Sequence, residues 1–436
     1  VEGALINTVI LNLMSQTFRF CLLTCLLMAT VPGTAGAAPC YAQPMGQDSS
    51  WNLLNRAQYA ALDARLGAAQ ASYRAGSIND AQLNAAFMTL CDSDARLKAN
   101  YDAWIAAMPR SYVARLARAN YLRWQGWEAR GDDYAANTSD EQFAAKDRFF
   151  AQARKDYEDS LQLESKPILS YAGFVNVGRE GSHSRHEVID DALKVDPKTF
   201  VVRRTYMVLL ETRWRGSVSD MQQFAGQSRG FITAAQYHVL DAMAIEDRGW
   251  NTEMAGDELA AAHLYQSAVE RVDDSTQAER SWYAHLNFET GWAYQHANDL
   301  PTAIVWYRRS LALDPVDRHT LSNLAWALQK TGQATDAAAY YQKSAELGDS
   351  YAQDQYGKCL WFGTGIPKDQ QAAVPYFQRS AAAGSDEASR DLYWATRQLH
   401  LPQQGSLAGA AKPGASAPAA NKPRIPAPLD QGPTDS

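Results

Sequence analysis

Cysteine is scarce in this chain, with five among 436 residues and no Cys-x-x-Cys pair. Cys21 and Cys25 fall in an apolar N-terminal run, which leaves Cys40, Cys91 and Cys359. That odd number, without ligand-like spacing, argues against a cysteine metal site. A Cys40–Cys91 disulfide would suit an oxidising compartment and tie the N-terminal segment to the first helices. Three unpaired thiols are the other reading. His-Glu-x-x-His and a phosphate-cradling Gly-rich loop are also missing, so no zinc-protease or nucleotide signature is present and no cofactor is implied. No long basic run occurs and the formal net charge is −7, which gives no sign of a nucleic-acid partner. Val/Ile/Thr alternation is nearly absent between residues 50 and 400, which removes most β architectures.

What is present is apolar and helical. The composition is 46% hydrophobic and 20% charged, enough for a substantial packed core. Long Ala-, Leu-, Arg- and Gln-rich amphipathic stretches are separated by Pro109, Gly131, Pro167, Gly181, Pro197, Gly216, Pro301, Pro315 and Gly332. Ser139 followed by Gln142 reads as a helix start with reciprocal capping.

The N-terminus reads as an export signal over residues 1–37. Arg19 supplies the positive charge, Phe20–Val31 is an apolar run too short to span a bilayer, and Ala35-Gly36-Ala37 offers the small-x-small pattern of a cleavage site. Met14 fits the start better than Val1, which would put residues 1–13 upstream of it. Cys40 would suit a lipid anchor, but Pro39 precedes it in place of a small residue. Cleavage to a soluble form, lipidation and an uncleaved anchor are the three readings, with cleavage favoured by the motif. The mature chain then has no membrane span and is periplasmic or secreted. Residues 38–250 form an N-terminal helical domain, 251–400 a repeat array, and 401–436 a Pro/Ala/Gly-rich tail expected to be disordered.

An internal repeat carries the fold. An aromatic residue followed three positions later by a small one recurs as Tyr157/Ser160, Tyr265/Ala268, Tyr307/Ser310, Tyr341/Ser344 and Phe377/Ser380. Three residues apart is one helix face. The steps of 34 and 36 residues from Ser310 to Ser344 and Ser380 match stacked helix-turn-helix units.

On these residues, 284–317 resemble a tetratricopeptide repeat, with Gly291, Tyr294, Ala303, Tyr307, Ser310 and Pro315 at its positions. Residues 318–351 resemble a second copy through Leu321, Leu324, Ala325, Leu328, Gly332, Ala337, Tyr341 and Ser344, but Asp349 replaces the final proline. Residues 352–384 resemble a Sel-1-like repeat, through Ala352, Tyr356, Gly357, the turn Gly363-Thr364-Gly365-Ile366-Pro367, Asp369, Ala373, Tyr376, Ser380 and Gly384. Residues 385–400 would close the array. Leu193–Pro197 resembles the end of a degenerate tetratricopeptide pair. Trp127–Gly131, and Arg213–Ser217 with Met221 and Phe224, resemble the domain-of-unknown-function 4034 family. These resemblances imply an all-α, right-handed solenoid of helix-turn-helix repeats.

In stacked tetratricopeptide units the first helix of each pair lines the concave surface. The resemblance therefore assigns His285, Phe288, Trp292, Gln295 and His296 to a partner-binding groove, followed by His319, Ser322, Trp326, Gln329 and Lys330. The His285/His319, Trp292/Trp326 and Gln295/Gln329 pairs are each 34 residues apart. Tryptophan there is the residue type favoured at binding hot spots. The competing reading buries both tryptophans between helices.

Candidate chemistry is weak by comparison. Gly226-Gln227-Ser228-Arg229-Gly230 has the spacing of a nucleophile elbow, but Asp220–Ala225 before it reads as helix rather than strand. His183 and His186 beside Glu187 would need a further ligand to hold a metal, and a helix start capped by Ser182 or Ser184 is simpler. Asp132/Asp133 and Asp190/Asp191 are adjacent in sequence and read as solvated. The chain is expected to be a non-enzymatic scaffold or adaptor for a protein or peptide. A periplasmic immunity protein and a cell-wall enzyme are the alternatives. Sel-1-like proteins of proposed cell-wall activity carry a cysteine pair per repeat, and only Cys359 is here. From the signal motif, the mature chain is expected to begin at Ala38; N-terminal sequencing of the native protein checks this, and a chain retaining Arg19 would contradict it.

Overall fold

The computed structural model describes residues 49–90, 94–131, 138–178, 185–272 and 280–401. The export segment, Cys40, Cys91, Asp132, Asp133, Ser182, His183, Ser184 and the tail from 402 lie outside them. The described residues contain nineteen α-helices, two 3-10 turns and no strand. The fold is an all-α solenoid of helix-turn-helix repeats. No described helix is long and apolar enough to cross a membrane. Contacts divide the chain into two compact units, one formed by the residues up to Arg248 with 270–272, the other by Gly249–Val269 with the residues from Arg280 onward.

The N-terminal unit holds α1 (Ser50–Asn55), α2 (Tyr59–Arg74), α3 (Asp80–Met88), α4 (Lys98–Ala107), α5 (Tyr112–Arg130), α6 (Asp140–Leu161), α7 (Ile168–Val177), α8 (Arg185–Val195), α9 (Phe200–Leu209) and α10 (Val218–Ser228). Helix α11 (Ala234–Met254) follows and contributes its residues up to Arg248. The expected start of α6 is present. Ser139 Oγ accepts the Gln142 amide N–H, and the Gln142 side chain accepts the Ser139 N–H. Such reciprocal caps satisfy two otherwise orphaned donors.

Two rings in the core of this unit seat on bare backbone. A Cβ placed on Gly126 of α5 would lie 2.6 Å from the Phe150 ring of α6. One on Gly173 of α7 would lie 2.2 Å from the Tyr157 ring. Tyr157 is fully buried and its hydroxyl donates to Asn120 at 2.7 Å. A mid-helix glycine costs about 1 kcal/mol of helix propensity. Burying an aromatic side chain contributes about 1.5–3 kcal/mol, so the exchange favours the packed ring.

Two buried carboxylates fasten distant parts of the unit. Asp80 accepts hydrogen bonds from the Thr199 hydroxyl at 3.0 Å and the Val201 N–H at 2.8 Å, capping α9 from α3. Asp196 receives the Tyr73 hydroxyl of α2 and Lys166 Nζ at 2.8 Å. Burial opposes the charge on Asp196, but the hydrogen bonds from Lys166 and Tyr73 outweigh it and hold the carboxyl below the usual range. Because the folded value lies below the unfolded one, this stabilisation is present at neutral pH and is lost as pH falls through the folded value.

The C-terminal unit begins at Gly249, with the end of α11 and α12 (Glu258–Arg271), and continues through α13 (Arg280–His296), α14 (Leu300–Leu313), α15 (Arg318–Lys330), α16 (Ala334–Glu346), α17 (Ser350–Phe362), α18 (Gln370–Ala382) and α19 (Asp386–Gln398). Hairpins α13/α14, α15/α16 and α17/α18 stack in chain order, and α19 packs on α18. The ring-on-glycine contact recurs. A Cβ on Gly249, Gly291 or Gly357 would lie 2.8, 2.8 or 2.7 Å from Tyr265, Tyr307 or Phe377. Ala325 takes that position in α15, opposite the fully buried Tyr341. In α19 the position holds Tyr393, which is exposed.

Serines close the hairpins. Ser344 and Ser380 donate at 2.7 Å to the carbonyls of Arg318 and Ser350, at the start of each first helix. Asp349 stands where a tetratricopeptide proline was expected because it caps α17. It accepts the Ala352 N–H at 2.7 Å and the Ser322 hydroxyl at 3.3 Å. In the Sel-1-like turn, Gly365 has φ +75 and packs so near Ala334 that a Cβ would lie 2.2 Å from its carbonyl oxygen. Only glycine fits there.

Glycine seats and ordinary helical glycines should respond oppositely to a methyl group. Gly173→Ala drives a Cβ into Tyr157 and should lower stability by about 1–3 kcal/mol. Gly67→Ala in α2 meets nothing within 4 Å and should raise it by about 0.5–1 kcal/mol. Chemical denaturation of the two variants checks the opposed signs.

Candidate partner-binding face

The residues assigned to the groove sit on α13 and α15. His285 is half-buried, stacks on Phe288 with ring centroids 6.2 Å apart, and has Nε2 3.3 Å from Glu289. Phe288 is buried. Trp292 is 2% exposed, and its ring lies 4.4 Å from His296 and 6.2 Å from Phe288. On α15, His319 is half-buried with Nδ1 3.7 Å from Asp349. Trp326 is half-buried, with Lys330 Nζ 5.6 Å from its ring centroid. Lys330 itself is exposed.

The repeated glutamines have an internal partner. Gln295 accepts the Tyr307 hydroxyl at 3.1 Å and Gln329 accepts the Tyr341 hydroxyl at 3.2 Å. Glu253 accepts the Tyr265 hydroxyl at 2.8 Å in the same way, twelve residues earlier in each case. Burial pushes the Tyr307 and Tyr341 phenols well above the ordinary tyrosine value, so both remain protonated donors. The glutamine row therefore satisfies buried hydroxyls. The side-chain NH2 of each glutamine is left to donate to a ligand.

The tryptophan row runs further than two positions. At steps of 32 and 36 residues beyond Trp326 come Lys358 of α17 and Trp394 of α19. Lys358 Nζ is 2.6 Å from Asp354, 3.3 Å from Asp391 and hydrogen-bonded to Glu387. Burial works against the ammonium, but the hydrogen bonds of Asp354 and Glu387 outweigh it and hold Lys358 above the usual lysine range. Oxygens of the three carboxylates lie within 4.8 Å of one another, and the ammonium fills the place a cation would take between them. Trp394 is 64% exposed and Phe362, four residues after Lys358, is 70% exposed. Sequence reasoning left both outside the groove because the Sel-1-like turn lengthens one repeat and hides the continuing row.

The candidate chemistries fold as helix. Ser228 is buried at the end of α10 and its hydroxyl donates to the Phe224 carbonyl at 2.9 Å, so no strand-to-helix elbow presents it. His186 lies at the exposed start of α8 beside the Tyr206 hydroxyl. Asp190 and Asp191 are also on α8, and the Asp191 carboxylate pairs with Lys194 at 2.9 Å. Burial pushes the Cys359 thiol up to about 11, which suits an inert packing residue.

Known proteins match in two stretches. Residues 49–180 match the domain of unknown function DUF4034. Residues 333–349 and 350–385 match the Sel1 repeat. Both Sel1 matches fall within the C-terminal hairpins. The first Sel1 match covers the second helix of the hairpin α15/α16, and the second covers α17 and α18 together. The DUF4034 match spans α1 to α7 and includes Trp127–Gly131, while Arg213–Phe224 lies beyond its end. No curated protein is similar in sequence. Similar solved structures include Tom70 of yeast, 13% identical over 92% of this chain and 74% of that one, with a TM-score of 0.44. The c5321 protective antigen of uropathogenic Escherichia coli, with an SLR fold, is 16% identical over 81% and 76%, TM-score 0.36. A Sel1 repeat protein from Oxalobacter formigenes is 14% identical over 85% and 96%, TM-score 0.33.

The two groove tryptophans should behave differently. Trp292→Ala empties a buried site and should cost about 3–5 kcal/mol of stability. Trp326→Ala, half-buried, should cost no more than about 2 kcal/mol. Melting of both variants beside a Tyr307→Ala core control checks this; equal losses at Trp292 and Trp326 would remove Trp326 from the binding face.

Proposed function

We propose that the protein is a non-enzymatic scaffold or adaptor that binds a protein or peptide along the first helices of its Sel1-type hairpins, after export to the periplasm. One observation carries the reading. The repeat-position aromatics of the second helices, Tyr307, Tyr341 and Phe377, are buried, with Tyr340 and Tyr376 beside them half-buried, whereas the matching row of the first helices holds Trp326, half-buried, and Trp394, 64% exposed. Packing accounts for the first group and leaves surface on the second. Repeat arrays bind along surfaces made from the same position of successive units, and amphipathic aromatic rings contribute affinity there. The export segment and its cleavage motif support a periplasmic site of action. That Ser228 and His186 lie on helices supports a binding role over catalysis.

A photoreactive phenylalanine analogue at position 326, in the full-length protein expressed in its own host, tests the reading. Discrete adducts with a protein partner, released with the periplasmic fraction, are expected. The same analogue at exposed Val305, on the second helix α14, should give none. Equal patterns from both positions would contradict the assignment.

A further inference from the structure

We propose that the proline-rich residues 423–429 of this chain fold back and dock on the exposed ring pair Tyr393 and Trp394 of α19. Such docking is internal to the chain and stands apart from the binding of a protein partner.

Among the described residues α19 is the last helix of the array, and no second helix follows to cover it. Tyr393 is 45% and Trp394 64% exposed. Their ring centroids lie 5.5 Å apart at an interplanar angle of 75°, and Arg397 Nη1 donates to the Tyr393 hydroxyl at 2.7 Å. A single exposed apolar residue needs no explanation. Two touching rings, one of them pinned by its neighbour, form a surface of the kind that marks an interaction site. Charge does not choose the occupant. Arg390 and Arg397 stand against Asp386, Glu387 and Asp391 on the same helix, so the rings must supply the recognition.

The chain itself supplies a matching segment. Residues 402–436 contain seven prolines but only three large apolar side chains, Leu407, Ile425 and Leu429. Two of those three lie within Pro423-Arg424-Ile425-Pro426-Ala427-Pro428-Leu429. Peptides with this Pro-x-x-Pro spacing dock on aromatic-lined surfaces as a left-handed helix of three residues per turn. In that helix Pro423, Pro426 and Leu429 make one ridge, Ile425 and Pro428 a second, and Arg424 with Ala427 the third. The two apolar ridges can meet the rings while Arg424 stays in water. Proline fixes φ, so such a segment loses less freedom on docking than other sequences do.

Position favours this segment over any free one. Helix α19 ends at left-handed His400, with φ +54, where the Leu401 N–H bonds back to the Thr396 carbonyl at 2.9 Å. That cap turns the chain off the helix axis, about 10 Å beyond Trp394. The 21 residues from 402 to 422 can span up to about 70 Å when extended, so residues 423–429 reach the rings. Tethering of this kind gives an effective concentration of about millimolar. A contact of only that strength is then half-occupied, whereas the same segment on a second copy is present only at the concentration of the protein.

The test places a photoreactive phenylalanine analogue at position 425 of the full-length protein, in an equal mixture of heavy-isotope and unlabelled chains. After irradiation the adduct should fall on the tryptic peptide of residues 391–397, which holds both rings. It should join heavy to heavy and light to light, and its yield should not change on dilution. The analogue at position 410, nearer to α19 but without the paired prolines, should give at least about tenfold less of that adduct. Tyr393→Ala/Trp394→Ala, and Pro423→Ala/Pro426→Ala/Pro428→Ala, should each lower the yield from position 425 about tenfold. The proline variant keeps the test open should the ring variant disturb α19. Heavy-to-light adducts on that peptide would assign the rings to a second copy. Adducts elsewhere, equal yields from positions 410 and 425, or an unchanged yield in the proline variant would mark chance proximity. Each of these outcomes overturns the proposal.

Discussion

The structure depends on an aromatic ring lying against the bare backbone of a neighbouring helix. Gly126, Gly173, Gly249, Gly291 and Gly357 each leave room that a single methyl group would fill. Without that room the hairpins would stand further apart, and the rings of Phe150, Tyr157, Tyr265, Tyr307 and Phe377 would lose contact on one side. Dispersion falls off steeply with such a gap, so the small residue and the ring act together. The same contact appears in both compact units, although their sequences match different families.

Seating a tyrosine this deeply buries a hydroxyl, and a buried hydroxyl without a partner costs about 1–3 kcal/mol. Glu253, Gln295 and Gln329 meet that need from the first helix. One end of each side chain is committed to the core, which fixes its rotamer and holds its position on the helix. Side chains ordered before a partner arrives lose less entropy when it binds. The packing device and the candidate binding face are thus built from the same residues.

Much of this was legible in the sequence. The spacing of Tyr307/Ser310, Tyr341/Ser344 and Phe377/Ser380 predicts stacked hairpins, and Ser139 with Gln142 predicts the start of α6. Both follow from local rules that tertiary contacts reinforce. The environment of the two groove tryptophans was not legible, since they occupy matching positions. What differs is the company: Phe288 and His296 enclose Trp292, while Ser322 and Lys330 leave Trp326 partly open. Only the packed chain shows that difference. The extension of the row to Trp394 was hidden by the turn at Gly363–Pro367, which alters the step between units. The role of Asp349 was hidden because a family position normally held by proline carries a residue chosen for capping.

Tyr393 stands where α13, α15 and α17 have glycine or alanine. A second helix could not seat its ring there without displacing a bulky side chain. Among the described residues, the series of ring seats therefore ends at α17. Repeat arrays change length over evolutionary time by duplicating whole units. In this protein a duplicated hairpin could be accommodated between existing ones, where glycine and alanine recur at the ring seats. Growth of the array would move the face bearing Trp394 outward as a unit and leave its composition intact.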